Sequence, residues 1–449
     1  MKSPALLAMV AVLGLTACSG APSNVTEITS LRFGATGQPQ GVARSNAELT
    51  QDFIDLTFNL ESGEELDGLL RYETPVRVYL ASPSLAPYRR DLTAILDRLR
   101  READIDISET FSAADANIVI EAVPAAEISR IFPTAACFIV PGETSWKSFL
   151  RRRPDARLRW SGQDTLTRSA IFLPVDTTPQ DVRDCLNEEI TQALGPANDL
   201  YRLPDSVWND DNFHGMATSF DMLILRALYQ PELESGMDRA EVAARMPGVL
   251  ARVNPPGRGQ PARPRAPEDD AWAAAIEVAL ARTTPRRARM AAATDATRMA
   301  AAMQPPDHRL TVSLLTLGRL SLRDDPRQAA NHFTEAYRQS SRRYGTDDLR
   351  TAQAGIHMAA LALGIGENET ALTLARRHED TAIRAQNAIL AAGFQSIRAE
   401  ALLRLDRPEE AQAARLDSLR WARYGFGDSN GALAREQAQL AALMRLEDG

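Results

Sequence analysis

The apolar positions of this chain change their period along its length. Leu49, Phe53, Ile54, Leu56 and Phe58 fall at helical spacing within residues 46–60. Residues 75–80 (PVRVYL) alternate apolar and polar as a strand does. Leu92, Ile95, Leu96 and Leu99 then share one helical face, and further strands are predicted at 117–121 (NIVIE), 136–140 (ACFIV) and 169–173 (SAIFL). A helix start follows at Thr178: its hydroxyl caps, Pro179 suits the first turn, and Asp181 complements the positive helix end. This helix is expected to run to Leu194 and stop at Gly195. Residues 254–267 (NPPGRGQPARPRAP) have the composition of a boundary. From about residue 270 the chain is rich in Ala, Leu and Arg at helical periodicity, without a strand signal.

The helical part repeats. Segments 325–330, 367–371 and 407–411 align, which places Ala329, Ala371 and Ala411 about 40 residues apart, each between two helices. Small residues there let paired helices approach and bury faces that no single hairpin covers. Residues 310–447 resemble the longer, kinesin-light-chain-like variety of tetratricopeptide repeat. That resemblance implies a concave face that takes a peptide or protein segment.

The amino terminus adds a destination. Lys2 precedes an apolar run at residues 5–15, which is short of the about 20 residues a membrane span needs but has the length of a signal-peptide core. The run ends in Leu15-Thr16-Ala17-Cys18, which resembles a bacterial lipobox. The resemblance implies cleavage before Cys18 and a diacylglycerol on its thiol. Each buried methylene of such chains stabilises membrane binding by about 0.8 kcal/mol. Ser19, a neutral residue after the cysteine, resembles the outer-membrane sorting pattern of Gram-negative lipoproteins. The expectation is a periplasmic protein, lipid-anchored to the outer membrane, on a Ser-, Gly- and Pro-rich tether to residue 44.

Composition narrows this further. The formal net charge of −8 argues against general nucleic-acid binding. With Cys18 acylated, Cys137 and Cys185 remain. In an oxidising compartment they suggest one disulfide, the alternative being two separate buried thiols.

The chemical question sits on the capped helix. Residues 188–199 read E-E-x-x-Q-x-x-G-x-x-N-D. This resembles the metzincin motif HExxHxxGxxHD, in which histidines one helical turn apart hold zinc and the intervening Glu polarises the metal-bound water. Glu188, Gln192 and Asn198 stand at the three ligand positions, Glu189 at that of the general base, and Gly195 and Asp199 match outright. The upstream order of strands and helices resembles a zincin domain. Thr218-Ser-Phe-Asp221 with Leu225-Arg-Ala-Leu-Tyr229 resembles the terminal helix of matrixin-like domains. Residues 45–247 together resemble an uncharacterised bacterial lipoprotein family with this substituted motif.

All three ligand histidines are replaced. Neutral amide oxygens are weak zinc donors, and an oxygen-only set suits Ca²⁺, Mg²⁺ or Mn²⁺ better. Without a strong Lewis acid the water pKa is not brought near neutrality, and Glu189 has nothing to activate. The resemblance therefore implies a pseudo-metallopeptidase acting in binding or scaffolding at the envelope. The alternative is a divergent metal-dependent hydrolase, with Glu189 as base and a divalent ion among Glu188, Gln192 and Asn198. No other cofactor is expected. His214, in a polar loop after residues 209–212, reads as a surface histidine, the alternative being a metal ligand with Glu188 and Glu189, and Arg151 to Arg153 read as a solvated loop patch.

The expected architecture is an α+β zincin-like domain followed by an all-α helical-repeat, tetratricopeptide-like domain. The divisions are a signal peptide (1–17), a lipidated tether (18–44), the zincin-like domain (45–247), a Pro/Arg-rich linker (248–269) and the repeats (270–449).

Overall fold

The computed structural model describes residues 44–444 except 61, 133–134, 154–157, 210–212, 264–269, 282 and 428–429. Cys18, the signal peptide and nearly all of the tether lie outside the described residues.

Helix α1 (Asn46–Phe58) starts from a reciprocal cap. The Glu48 amide donates to Ser45 Oγ (3.2 Å), and the Ser45 amide donates to the Glu48 carboxylate (2.8 Å). Five strands follow: β1 (Val76–Leu80), β2 (Ile107–Glu109), β3 (Ile118–Val123), β4 (Phe138–Pro141) and β5 (Ser169–Pro174). They form one mixed sheet in the order β2-β1-β3-β5-β4. The first four of that order are parallel, and β4 pairs antiparallel to β5 with Ile139 opposite Ile171. The short edge strand β2 escaped the sequence pattern because three residues carry too little alternation to register.

Alternation divides the sheet between two cores. Ile171 and Leu173 of β5 point into the larger one, with Val78, Ile118 and Ile120. It is covered by α1, α2 (Arg89–Ala103), α5 (Pro179–Gln192), α6 (Ser219–Leu228) and α7 (Arg239–Val253). Ala170 and Phe172 point the other way, into a cluster with Trp146 and Phe149 of α4 (Trp146–Arg152). Phe172 lies 5.1 Å from Trp146 and 5.3 Å from Phe138, ring centre to ring centre. A short helix, α3 (Ala125–Ser129), closes that side. Arg151 and Arg152 form the last turn of α4 rather than a loop, because Ser145 caps the helix and Phe149 anchors it. Helix α7 continues to Val253, since Val249 and Leu250 are buried. Residues 248–253, expected as linker, are therefore helical. Cys137 and Cys185 form a disulfide that ties α5 to the chain entering β4.

The helix-rich carboxyl-terminal part consists of α8 (Asp270–Leu280), α9 (Arg286–Ala302), α10 (His308–Ser321), α11 (Pro326–Tyr344), α12 (Leu349–Gly364), α13 (Asn368–Arg384), α14 (Ala388–Arg404), α15 (Pro408–Phe426) and α16 (Asn430–Met444). The even-numbered helices begin 38 to 42 residues apart, so these are helical repeats. Ala329, Ala371 and Ala411 occupy equivalent places on α11, α13 and α15, and all are buried. Two repeats share a device at the start of the even helix. Asp307 and Asp348 each cap it and pair with an arginine two residues on, Arg309 (2.7 Å) and Arg350 (2.6 Å). Helix α16 packs on α12: a Cβ at Gly364 would stand 2.6 Å from the Leu443 carbonyl.

Each repeat touches the α/β part. Trp272 of α8 packs edge-on against Tyr201 (5.0 Å). His308 Nε2–H of α10 donates to the Tyr201 carbonyl. Arg350 of α12 donates to the Pro204 carbonyl (2.8 Å). At the start of α14 the Ala388 amide donates to Gln180 Oε1 (3.0 Å). At the end of α15, Gly427 abuts Pro179, where a Cβ would fall 2.8 Å from the ring. The repeat edge is thus laid along α5 and the 201–204 segment. These contacts are polar and spread over distant residues, so no local pattern announces them.

Candidate functional site

Helix α5 is set by its first turn. Thr178 Oγ1 accepts from the Asp181 amide (3.1 Å), and the Asp181 carboxylate accepts from the Thr177 hydroxyl (2.6 Å). From there Gln180, Asp184, Glu188 and Gln192 recur every fourth residue and so share a face. The first three line a cavity of about 380 Å³ between α5 and the repeats. Its far wall carries Arg319 of α10, Gln353 of α12, and Glu436 and Gln439 of α16.

Gln180 is committed on every side. Its Nε2 donates to the Gln386 carbonyl (3.2 Å) and to Asp184 Oδ1 (2.8 Å), and its Oε1 receives the Ala388 amide. Asp184 also lies hard against Gly215, where an added Cβ would come within 2.1 Å of Oδ1. Only a glycine allows that approach. Enclosure raises the Asp184 carboxyl to about 7, and the Asp181 charge pushes the same way. His214 lines the same cavity rather than the outer surface. Burial, with the Arg350 charge, holds its imidazole down to about 4, so it is neutral at pH 7. Its Nε2 is shut from water and makes no hydrogen bond among the described residues. The sequence placed this histidine on a surface loop because nothing local reveals the repeats packed over it.

The loop that delivers His214 and Gly215 is tied to α6. Asp221, fully buried, accepts from the Ser206 hydroxyl (2.5 Å), the Val207 amide (3.0 Å) and the Thr218 amide (2.6 Å). Burial raises its carboxyl to about 6. Trp208 Nε1 donates to Thr191 Oγ1 of α5 (3.1 Å), which fixes the loop to the helix.

The metzincin-like positions separate. Glu188 faces the cavity, and Glu189 does not line it; it is 4% exposed. Gln192 Nε2 donates to Asp199 Oδ2 (2.7 Å), while Asn198 Nδ2 donates to the Asp55 carbonyl of α1 (2.9 Å). Helix α5 ends at Gln192, and Gly195, at φ +141°, turns the chain two residues after Ala193. The donor set does not fit a zinc ion: two of its three positions are neutral amides engaged in separate hydrogen bonds. Among the described residues no three His, Cys, Asp or Glu side chains group as metal ligands.

Of the metzincin-like positions only Glu188 lines the cavity, where it is joined by Asp181, Asn209 and His214, which the sequence singles out on other grounds. Asp184 and Gln180 were legible as a polar stripe at four-residue spacing. Arg319, Gln353 and Glu436 were not, since nothing in the repeats says which residues face α5.

Neither the curated proteins nor the solved structures include a match to this chain. Residues 46–248, the span from α1 through most of α7, are similar to a family described as a protein of unknown function (DUF2927).

Proposed function

We propose that this chain is a lipid-anchored binding or scaffolding protein of the bacterial envelope, built on a peptidase-like domain that no longer carries out hydrolysis. The observation that supports this reading most is the fate of the α5 face. Where a metallopeptidase would keep a substrate cleft, the repeats lie along the helix and supply the far wall of a polar, half-open cavity. Gln192 and Asn198 are spent on internal hydrogen bonds, and Glu189 lies away from the cavity. A base that does not face the space where a substrate would lie has no proton to take. Anchoring through Cys18 and placement at the outer membrane rest on the lipobox and Ser19 alone.

The test is metal analysis of the full chain after chelation and dialysis, with a peptide-hydrolysis assay on the same sample. The expected result is less than one ion per chain, and no turnover that Glu189→Ala removes. One retained divalent ion per chain with hydrolysis abolished by Glu189→Ala would establish the hydrolase instead. Labelled palmitate incorporated into the wild type and lost in Cys18→Ser checks the anchor.

A further inference from the structure

The cavity between α5 and the repeats has an acidic wall, with Asp181, Asp184 and Glu188 on α5, and a wall that carries the one cation of the lining among the described residues, Arg319, together with Glu436 on the repeats. On the α5 side stands Asp184, held by Gln180 and pressed on Gly215, with Glu188 one turn further along. On the repeat side Arg319 projects from α10 and remains exposed within the cavity lining. Its guanidinium makes no hydrogen bond or ion pair among the described residues; Glu436 acts on it only at longer range. Gln353 and Gln439 line the same cavity. A guanidinium presents paired donors matched to a carboxylate, and the amides of Gln353 and Gln439 in the same lining offer further donors. The opposing carboxylates disfavour a simple anion and favour an ammonium. At about 380 Å³ the space lies within the usual range of small-molecule sites.

We propose that this cavity binds a small zwitterion, with its ammonium end at Asp184 and its carboxylate end at Arg319. This deepens the binding reading above and rests on it. A ligand with one charge alone matches only one of these groups, so recognition is strongest when both ends are charged. Gly215 belongs to the site because it lets Asp184 sit at the cavity wall.

The probe is trialanine, titrated into the full chain by calorimetry and by chemical-shift perturbation. N-acetyl-trialanine and trialanine amide, which each lack one charge, are the controls. The expected result is one site per chain, with each blocked peptide bound about tenfold or more weakly, the loss of one charge-assisted contact. Arg319→Gln is expected to erase the preference for the free carboxylate while keeping that for the free amine. Asp184→Asn is expected to do the reverse. Circular dichroism confirms that each variant is folded; Gln353→Ala, at a half-buried position of the cavity lining, supplies a milder change expected to weaken trialanine by several-fold. No saturable binding of trialanine by the folded wild type, or equal binding of the blocked peptides, overturns the site. Trialanine bound with the expected selectivity but cleaved supports the site and overturns the non-hydrolytic reading, so the two failures are distinguishable.

Discussion

The guanidinium of Arg183 lies 3.6 Å above the ring of Tyr424 and donates to the carbonyl of that same residue at 3.0 Å. The two residues belong to α5 and α15, far apart in sequence. Asp91 of α2 completes the contact, 3.4 Å from Arg183 and 3.4 Å from the Tyr424 hydroxyl. One arginine thus joins the sheet-covering helices to the last repeats through a ring, a carbonyl and a carboxylate.

Arg183→Ala removes all three contacts together. The expected cost is about 1–3 kcal/mol, in the range of a partly buried cation–π contact plus one charge-assisted hydrogen bond and an ion pair. Hydrogen exchange provides the check. Amides of α15 and α16 are expected to lose protection before those of the sheet, and uniform loss across the chain would contradict the docking role.

Reduction of Cys137–Cys185, or the double change to alanine, releases a closed loop of 48 residues. Chain-entropy arguments put the loss at about 4 kcal/mol. Denaturant unfolding with and without reductant measures it. A midpoint that does not move would mean that α5 is held to the sheet by packing alone.

Gly195 turns the chain after α5 at φ +141°, a conformation side chains rarely adopt. A Cβ there would lie 2.6 Å from the Leu70 carbonyl and 2.7 Å from Leu228 Cδ2. Gly195→Ala therefore combines strain with overpacking, and a loss of about 2–4 kcal/mol is expected. Thermal unfolding checks this, and a melting temperature within a degree of wild type would contradict it.

His378 is buried between α11 and α14, with Nε2 3.2 Å from the Tyr337 hydroxyl. Burial and the Arg377 charge hold it down to about 4. Its folded value lies below its ordinary one, so the unfolded chain takes up the proton first. The stability associated with neutral His378 is present above about pH 6.5 and is lost as the pH falls toward 4, reaching about 2 kcal/mol at pH 5. Asp184 and Asp221, raised by burial, work in the opposite sense over part of that window. The difference between wild type and His378→Gln isolates the histidine. The variant is expected to lose less stability than wild type between pH 7 and pH 5, and parallel curves would contradict the assignment.

Local pattern was enough for much of the fold. Alternation located β1, and short apolar runs located β3, β4 and β5, because strands covered on both faces carry apolar groups at successive positions. The Thr178 cap located the start of α5, and alanines about 40 residues apart located the repeats, because caps and close helix pairs act within a few residues. The cysteine count suggests a Cys137–Cys185 bond but leaves two separate thiols open, and the structure has the bond. Tertiary structure decided the rest. It turned Glu188 toward the repeats and left Glu189 outside the cavity, since which side of α5 meets a partner depends on surfaces far along the chain. It brought His214 under cover and set Arg319 opposite Asp184. The spacing of a motif specifies where side chains emerge from one helix. Only the packing of distant elements specifies what they face.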